Sequence, residues 1–354
     1  MGMTRTARAG FPLPIGPEPP IPNSMSETLL TLREAKGAGT GARFAAICSV
    51  ADLATKPTRN GGSYTELTLA DASGDAKFKV WSDSPLRAAV EALRPGTPVR
   101  VGGFVAEYNG KPDLKADALV ALTEAERGDP ALMGRLTPVS LQDPAVMARG
   151  LAEVVAAIPH AGLRATVESV LEAHGERFRD SVAALGVHHA YRHGLLEHTL
   201  RMARVARALL PLYPAIDPSL ALAGVILHDV GKIQEYTRLE PGMSKAAFTR
   251  AGNLHGHLVL GAFLVREHGD KVGLDPSLRE RLEHVILSHH TLREFGACAT
   301  PATPEAVFVA RIDDLDAKMS AVEEELRKAP QGQEFVPVRG IDGHLLTTPP
   351  RTGA

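Results

Sequence analysis

The sequence predicts a multidomain α and β chain, with a small all-β barrel followed by an all-α domain. Three observations lead there. Residues 40–124 alternate apolar and polar positions in short runs separated by Gly, Asn, Asp and Pro, which is the texture of half-buried strands. Strand signals cease near residue 124. From 143 to 329 the apolar residues instead recur at helical spacing, broken by turn-rich stretches such as LYPAIDP, LEPGMS and GACATPATP.

Residues 1–39 open with MGMTRTARAGFPLPIGPEPPIPNSM, rich in Pro and lacking a signal-peptide apolar core. They are expected to be a flexible extension. Met25 is a candidate start, and MSETLLTLREA is the first segment that reads as foldable. Residues 40–124 then offer RFAAICSVADL, YTELTLADASG, DAKFKVWSD and GTPVRVGGFVAEYNGKPDLKADALVAL. About five strands with one helix (84–94) between the third and fourth suit a five-stranded OB-fold barrel. In YTELTL, Thr65, Leu67 and Leu69 share one face and Tyr64, Glu66 and Thr68 the other. In KFKVW, Phe78 and Val80 point one way while Lys77, Lys79 and Trp81 point the other. Lysines beside the chain's single Trp suit a phosphate backbone with stacked bases, so Tyr64, Lys77, Lys79, Trp81 and Tyr108 form the expected nucleic-acid contact set. The plainer alternative is a solvated strand face, since residues 40–124 hold ten basic and ten acidic side chains.

Residues 125–142 read as a linker, 143–329 as the helical domain, and 330–354 as an aperiodic tail that wraps the surface or stays disordered. The net charge of -2 gives no overall basic field, so any nucleic-acid contact must be local. Two cysteines are too few for a disulfide framework, and no run approaches ~18 apolar residues. A cytoplasmic protein that crosses no membrane is expected.

The helical domain places ionisable groups where burial would be costly. His198 lies on the apolar stripe of LLEHTLRMARVARALL with Leu195, Met202 and Val205. His228-Asp229 closes LALAGVILHD, a run apolar almost all round and so a buried helix. His289 shares a face with Leu282, Val285 and Ile286, His257 with Leu260, Gly261 and Leu264, and Asp313 with Ala306, Val309 and Ala310. A lone inward histidine is more often a hydrogen-bonded core residue than a ligand, but five helices offering such groups point to a shared centre. Imidazole and carboxylate suit borderline metals such as Mn, Fe, Co or Zn. Asp229, with two oxygens, is placed to bridge two ions, and such a pair would activate a water and clamp a phosphoryl oxygen. Lys232 is placed to touch a substrate phosphate. His189, Tyr191 and Arg192 are expected to line the mouth and hold phosphate or base.

The order His198, His228-Asp229, Asp313 resembles the H…HD…D signature of the HD superfamily of metal-dependent phosphohydrolases. More narrowly, HHAYRHGLLEHT, LAGVILHDVGKI, VILSHH, EFG and IDDLDAKM behind an OB-fold resemble the YhaM family of 3′→5′ exoribonucleases, over about residues 40–320. The resemblance implies His198, His228, Asp229 and Asp313 as core ligands, with His257, His289 and His290 holding a second ion. It implies two divalent ions, Mn ahead of Co, Fe or Zn, and His228, Asp229 and Lys232 as the catalytic group. It further implies release of nucleoside 5′-monophosphates from single-stranded RNA or DNA by a homo-oligomer. Two positions depart from the family pattern: His193 stands where a small residue is expected, which would narrow the entrance, and Asp113 where Gln is frequent. The rival readings are an HD phosphohydrolase of a cyclic dinucleotide or nucleotide, and a non-catalytic nucleic-acid-binding protein.

Overall fold

The computed structural model describes residues 28–58, 61–186, 189–329, 333–338 and 340–347. The expected N-terminal extension lies outside the described residues as far as residue 27, as do His188 and the last seven residues. From residue 28 the expectation of a flexible extension needs correction. Helix α1 (Leu32–Gly37) opens with a capping box between Thr31 and Glu34, which satisfies two end amides reciprocally. It buries Leu32 and Ala35 in the barrel core, and Asp71 accepts from the Leu32 amide at 2.6 Å.

The barrel strands are β1 (Arg43–Pro57), β2 (Ser63–Asp71), β3 (Gly74–Trp81), β4 (Pro98–Tyr108) and β5 (Lys111–Ala121), with α2 (Arg87–Ala92) between β3 and β4. They form one antiparallel sheet in the order β3-β2-β1-β4-β5, and β3 and β5 approach to close it. β1 serves both halves: Arg43–Ser49 pair with β4 and Ser49–Pro57 with β2. A bulge between Val50 and Asp52 bends the strand where it changes partner. This strand order, with its helix between the third and fourth strands, is an OB-fold. Alternation in the sequence becomes the two faces of the sheet. Leu67, Leu69, Phe78 and Val80 are buried, and each such side chain contributes about 1.5–3 kcal/mol.

Residues after β5 form two short helices, α3 (Glu124–Arg127) and α4 (Pro130–Gly134). The rest of the linker is stitched to the helical domain. Val139 bridges Arg192, the Ser140 hydroxyl donates to Glu197 at 2.5 Å, and the Gln142 amide donates to its other oxygen at 3.1 Å. The helices that follow are α5 (Pro144–Ala156), α6 (Ala161–Asp180), α7 (Gly194–Leu209), α8 (Pro218–Leu227), α9 (Lys232–Glu235), α10 (Arg250–Lys271), α11 (Pro276–Ser288) and α12 (Pro304–Lys328). Four of them start with Asp-Pro or Thr-Pro, at Asp143, Asp217, Asp275 and Thr303. The side-chain oxygen caps the first amides, and Pro fits the first helical position because no bond is lost there. α8 is buried on every side, and α6, α7, α11 and α12 pack around it. The tail pairs two short strands, β6 (Phe335–Pro337) and β7 (His344–Leu346), and buries Val336 and Val338. Among the described residues no helix is long and apolar enough to cross a membrane.

Candidate metal centre and barrel face

Helix ends decide how two of the histidines point. His228 follows the last residue of α8 and His289 the last residue of α11. Carbonyls of a final helical turn lack intrahelical partners. The His228 Nδ1 donates to Val225 O at 2.8 Å and the His289 Nδ1 to Ile286 O at 2.8 Å. Each ring is thereby fixed with its proton on Nδ1 and its Nε2 lone pair turned inward. His257 reaches the same state by another route. Gly256 adopts φ 68° and ψ 160°, a conformation open essentially to glycine, and kinks α10 so that Glu235 receives both the His257 amide (3.0 Å) and its Nδ1 (3.1 Å). His198 lies inside α7, and its Nδ1 donates to Asp316 of α12 at 2.7 Å.

Four Nε2 atoms therefore face one carboxylate from two sides. Asp229 Oδ2 lies 3.6 Å from His198 Nε2 and 3.3 Å from His228 Nε2. Its Oδ1 lies 3.5 Å from His257 Nε2 and 3.6 Å from His289 Nε2. Asp313 Oδ1 adds to the first group, 3.3 Å from His198 Nε2, and the His290 ring adds to the second, 5.0 Å between centroids from His257. His198, His228 and Asp313, and likewise His257, His289 and His290, have their ligand atoms close enough together to hold an ion. All the predicted ligands thus converge.

The arrangement fits divalent metal. Asp229 Oδ1, His257 Nε2 and His289 Nε2 are buried without a hydrogen-bond partner. Each such orphan costs about 1–3 kcal/mol, and three that face one another mark a place for a cation. Protonation states suit it as well. Burial raises the Asp229 pKa, but Lys232 and His228 outweigh it and hold the carboxyl well below its usual range. Asp313 is lowered too, with His198 overcoming the effect of burial. Burial depresses His289, and burial with the neighbouring His289 takes His290 down to about 4, so both rings are neutral ligands at pH 7. Burial also opposes charge on His198, yet Asp313 and Asp316 outweigh it and raise its pKa to about 9.

Burial around the centre is uneven. His228 and His289 are fully buried, whereas the Asp313 side chain is 21% exposed and Lys232 13%. Lys232 Nζ donates to Asp229 Oδ2 at 2.6 Å. A close approach places it there: a Cβ on Gly231 would sit 2.0 Å from His257 O, so only glycine lets α9 abut α10.

The three predicted mouth residues are each held by partners within the fold. His189 is buried behind the centre, 3.0 Å from Asp316 and 2.9 Å from Ser320, because its ring completes a polar network beneath His198. The Tyr191 hydroxyl donates to Glu197 at 3.0 Å and meets His189 Nδ1 at 2.9 Å. Arg192 pairs with Asp180 at 3.0 Å. His189 and Tyr191 line a cavity together with Glu197, Arg201 and Ser320. The His193 ring turns to Arg179 O at the end of α6 (2.7 Å). Its φ of 68° explains why a small residue suits that position. Asp316 and Glu235 were missed by the sequence reading. Asp316 stands one turn beyond Asp313, the signal by which it could have been found; Glu235 gives none.

On the barrel, Tyr64 pairs with Trp81, Glu66 with Lys79 and Thr68 with Lys77 across β2 and β3. The Tyr64 and Trp81 rings lie 5.1 Å apart, Trp81 is 48% exposed, and Lys79 Nζ stands 5.8 Å over the Tyr64 ring. Lys77 is tied to Glu66, as is Lys56. Tyr108 is exposed at the β4–β5 turn, whose Pro112–Leu114 adjoin the Asp75–Lys77 end of β3, away from Trp81. Asp113 pairs with Lys115.

The family model described as HD domain matches residues 195–318. Among solved structures, a domain of replication protein A from Methanococcus maripaludis is 16% identical, aligning 28% of this chain with 99% of that one at a TM-score of 0.22. An OBody bound to hen egg-white lysozyme is 15% identical, aligning 28% of this chain with 96% of that one at a TM-score of 0.24. The assignment of the barrel rests on its strand order alone. The 3′-5′ exoribonuclease YhaM of Geobacillus sp. (strain WCH70) is 31% identical over 274 residues, spanning 77% of this chain and 82% of that protein. At that identity and coverage, and with the HD match inside it, this chain belongs to the YhaM family.

Proposed function

We propose that the chain is a metal-dependent 3′-5′ exonuclease that removes nucleoside 5′-monophosphates from single-stranded RNA. One observation carries the reading: the two oxygens of Asp229 each face a separate pair of imidazole Nε2 atoms. His198, His228 and Asp313 would hold one divalent ion, His257, His289 and His290 a second, with Asp229 shared; manganese is the first candidate. Bound there, such ions supply Lewis acidity, making a water nucleophilic at neutral pH and drawing charge from phosphate oxygens.

The chain's own residues do the rest. With their Nδ1 atoms engaged, His228, His257 and His289 keep Nε2 aimed at one place without reorganisation, and His198 joins them once its second proton is displaced. Lys232 has three donors and gives one to Asp229; the others remain for an oxygen of the terminal phosphate. His228 and Asp229 stand beside it, so these three form the catalytic group. Hydrolysis breaks the bond from phosphorus to the preceding 3′-oxygen; water supplies hydroxyl to phosphorus and a proton to that oxygen. Tyr64 and Trp81 offer stacking surface for bases and Lys79 a charge for the backbone, with Lys77 and Tyr108 further along the barrel. The Geobacillus relative is named an exoribonuclease, which favours RNA over DNA. A homo-oligomer is supported by Leu315, Met319 and Leu326, which leave apolar surface exposed along α12.

The test is incubation with Mn²⁺ and 5′-labelled single-stranded RNA. A descending ladder is expected. Intact RNA together with hydrolysis of a cyclic dinucleotide would favour the small-substrate phosphohydrolase. Intact RNA retained on a filter, with no hydrolysis of either, would favour a binding protein.

A further inference from the structure

His198 differs from His228 and His289 in one respect. His228 and His289 sit past helix ends and take carbonyls of their own final turns. His198 lies within α7, where the carbonyls of the preceding turn are already engaged in the helical ladder. Its Nδ1 therefore needs an acceptor from elsewhere, and Asp316, 118 residues on, provides it. Asp316 is itself buried and fully committed. Its Oδ2 accepts from His198 Nδ1 at 2.7 Å and from His189 Nε2 at 3.0 Å, and its Oδ1 pairs with Arg201 Nε at 2.9 Å. These are hydrogen-bond distances. His189, His198 and Asp316 have the composition of an ion site, yet they satisfy one another.

We propose that Asp316 is a positioning residue of the centre: it fixes the ring plane and tautomer with which His198 presents Nε2 to Asp313 and Asp229, and His189 holds Asp316 in turn. The inference rests on the two-ion reading above. Asp316 never touches the reacting atoms. It acts by keeping the Nδ1 proton in place, which makes Nε2 a lone-pair donor and raises its basicity. Replacing it by Asn keeps the shape but leaves one carbonyl oxygen for three donors, from His198, His189 and Arg201.

The test is a Co²⁺ titration of the ion-free full chain, read by visible absorption and chelator competition, for wild type, Asp316→Asn, His189→Gln and His198→Ala. Asp316→Asn is expected to weaken one site about 10–100-fold while the site that contains His257 and His289 stays within about threefold. His189→Gln should shift the same site in the same direction by about threefold, and it decides the matter if Asp316→Asn fails to fold. The proposal is overturned if both variants load as wild type while His198→Ala loses a site. It is equally overturned if both sites weaken alike with a lower melting temperature of the ion-free chain, because a merely structural role would do that. If His198→Ala itself loads as wild type, the two-ion reading is wrong, and the role of Asp316 falls with it.

Discussion

Asp229 is buried beside Lys232 and His228, which keep it ionised, and its oxygens serve two groups of imidazoles. Asp229→Ala should therefore abolish turnover and the uptake of both ions while leaving the helical circular dichroism unchanged. Metal-dependent hydrolysis surviving in that variant would contradict the shared ligand. His198 makes a pH prediction. Its pKa in the ion-free chain is raised to about 9, so below that value an entering ion must displace a proton. Apparent affinity should climb with pH, about tenfold per unit for one displaced proton, and level off above about 9. His290, near 4, adds nothing above pH 5. Chelator competition between pH 6.5 and 9.5 measures this, and a flat profile would remove the proton from the ring. These ligands were legible because an inward imidazole on an apolar stripe is chemically conspicuous. Asp316 was not, since Asp314 two positions before it has the same character and is merely an exposed partner of Lys318.

Elements position the site by how they end and bend. α8 and α11 stop at their histidines, and α10 kinks at Gly256 just before its own. Gly256→Ala should cost about 1–3 kcal/mol, because φ 68° with ψ 160° is closed to other residues. It should also weaken the ion held by His257 more than the one held by His198; a thermal melt and a two-site titration check the pair of outcomes. Much of this scale was readable in advance. Alternation in KFKVW gave the two faces of β3, and the all-apolar LALAGVIL gave a central buried helix. Other features were closed to inspection for physical reasons. α1 is six residues long and lies next to a Pro-rich stretch, so its helical period is too short to register. The roles of His189 and Arg192 depend on Asp316 and Asp180, partners that spacing alone does not bring near.

On the proposed reading, strand holding and hydrolysis fall to different domains. The barrel has balanced charge, and of its predicted lysines Lys77 is tied to Glu66, so on that reading stacking on Tyr64 and Trp81 would supply much of the grip. Trp81→Ala should weaken RNA binding by about 1–3 kcal/mol in a filter assay and leave hydrolysis of a minimal phosphodiester unchanged. Equal losses in both would contradict that division. The stitched linker bears on how the chain can be divided. Glu197 is a buried carboxyl whose donors include Ser140 and Gln142. A fragment cut at residue 143, where helical periodicity begins, would strip both away and leave its oxygens short of partners, at about 1–3 kcal/mol for each lost donor. The catalytic half should thus melt at a lower temperature when severed there than when residues 137–142 stay attached, and the seam between the two halves is written into the carboxyl half's own interior.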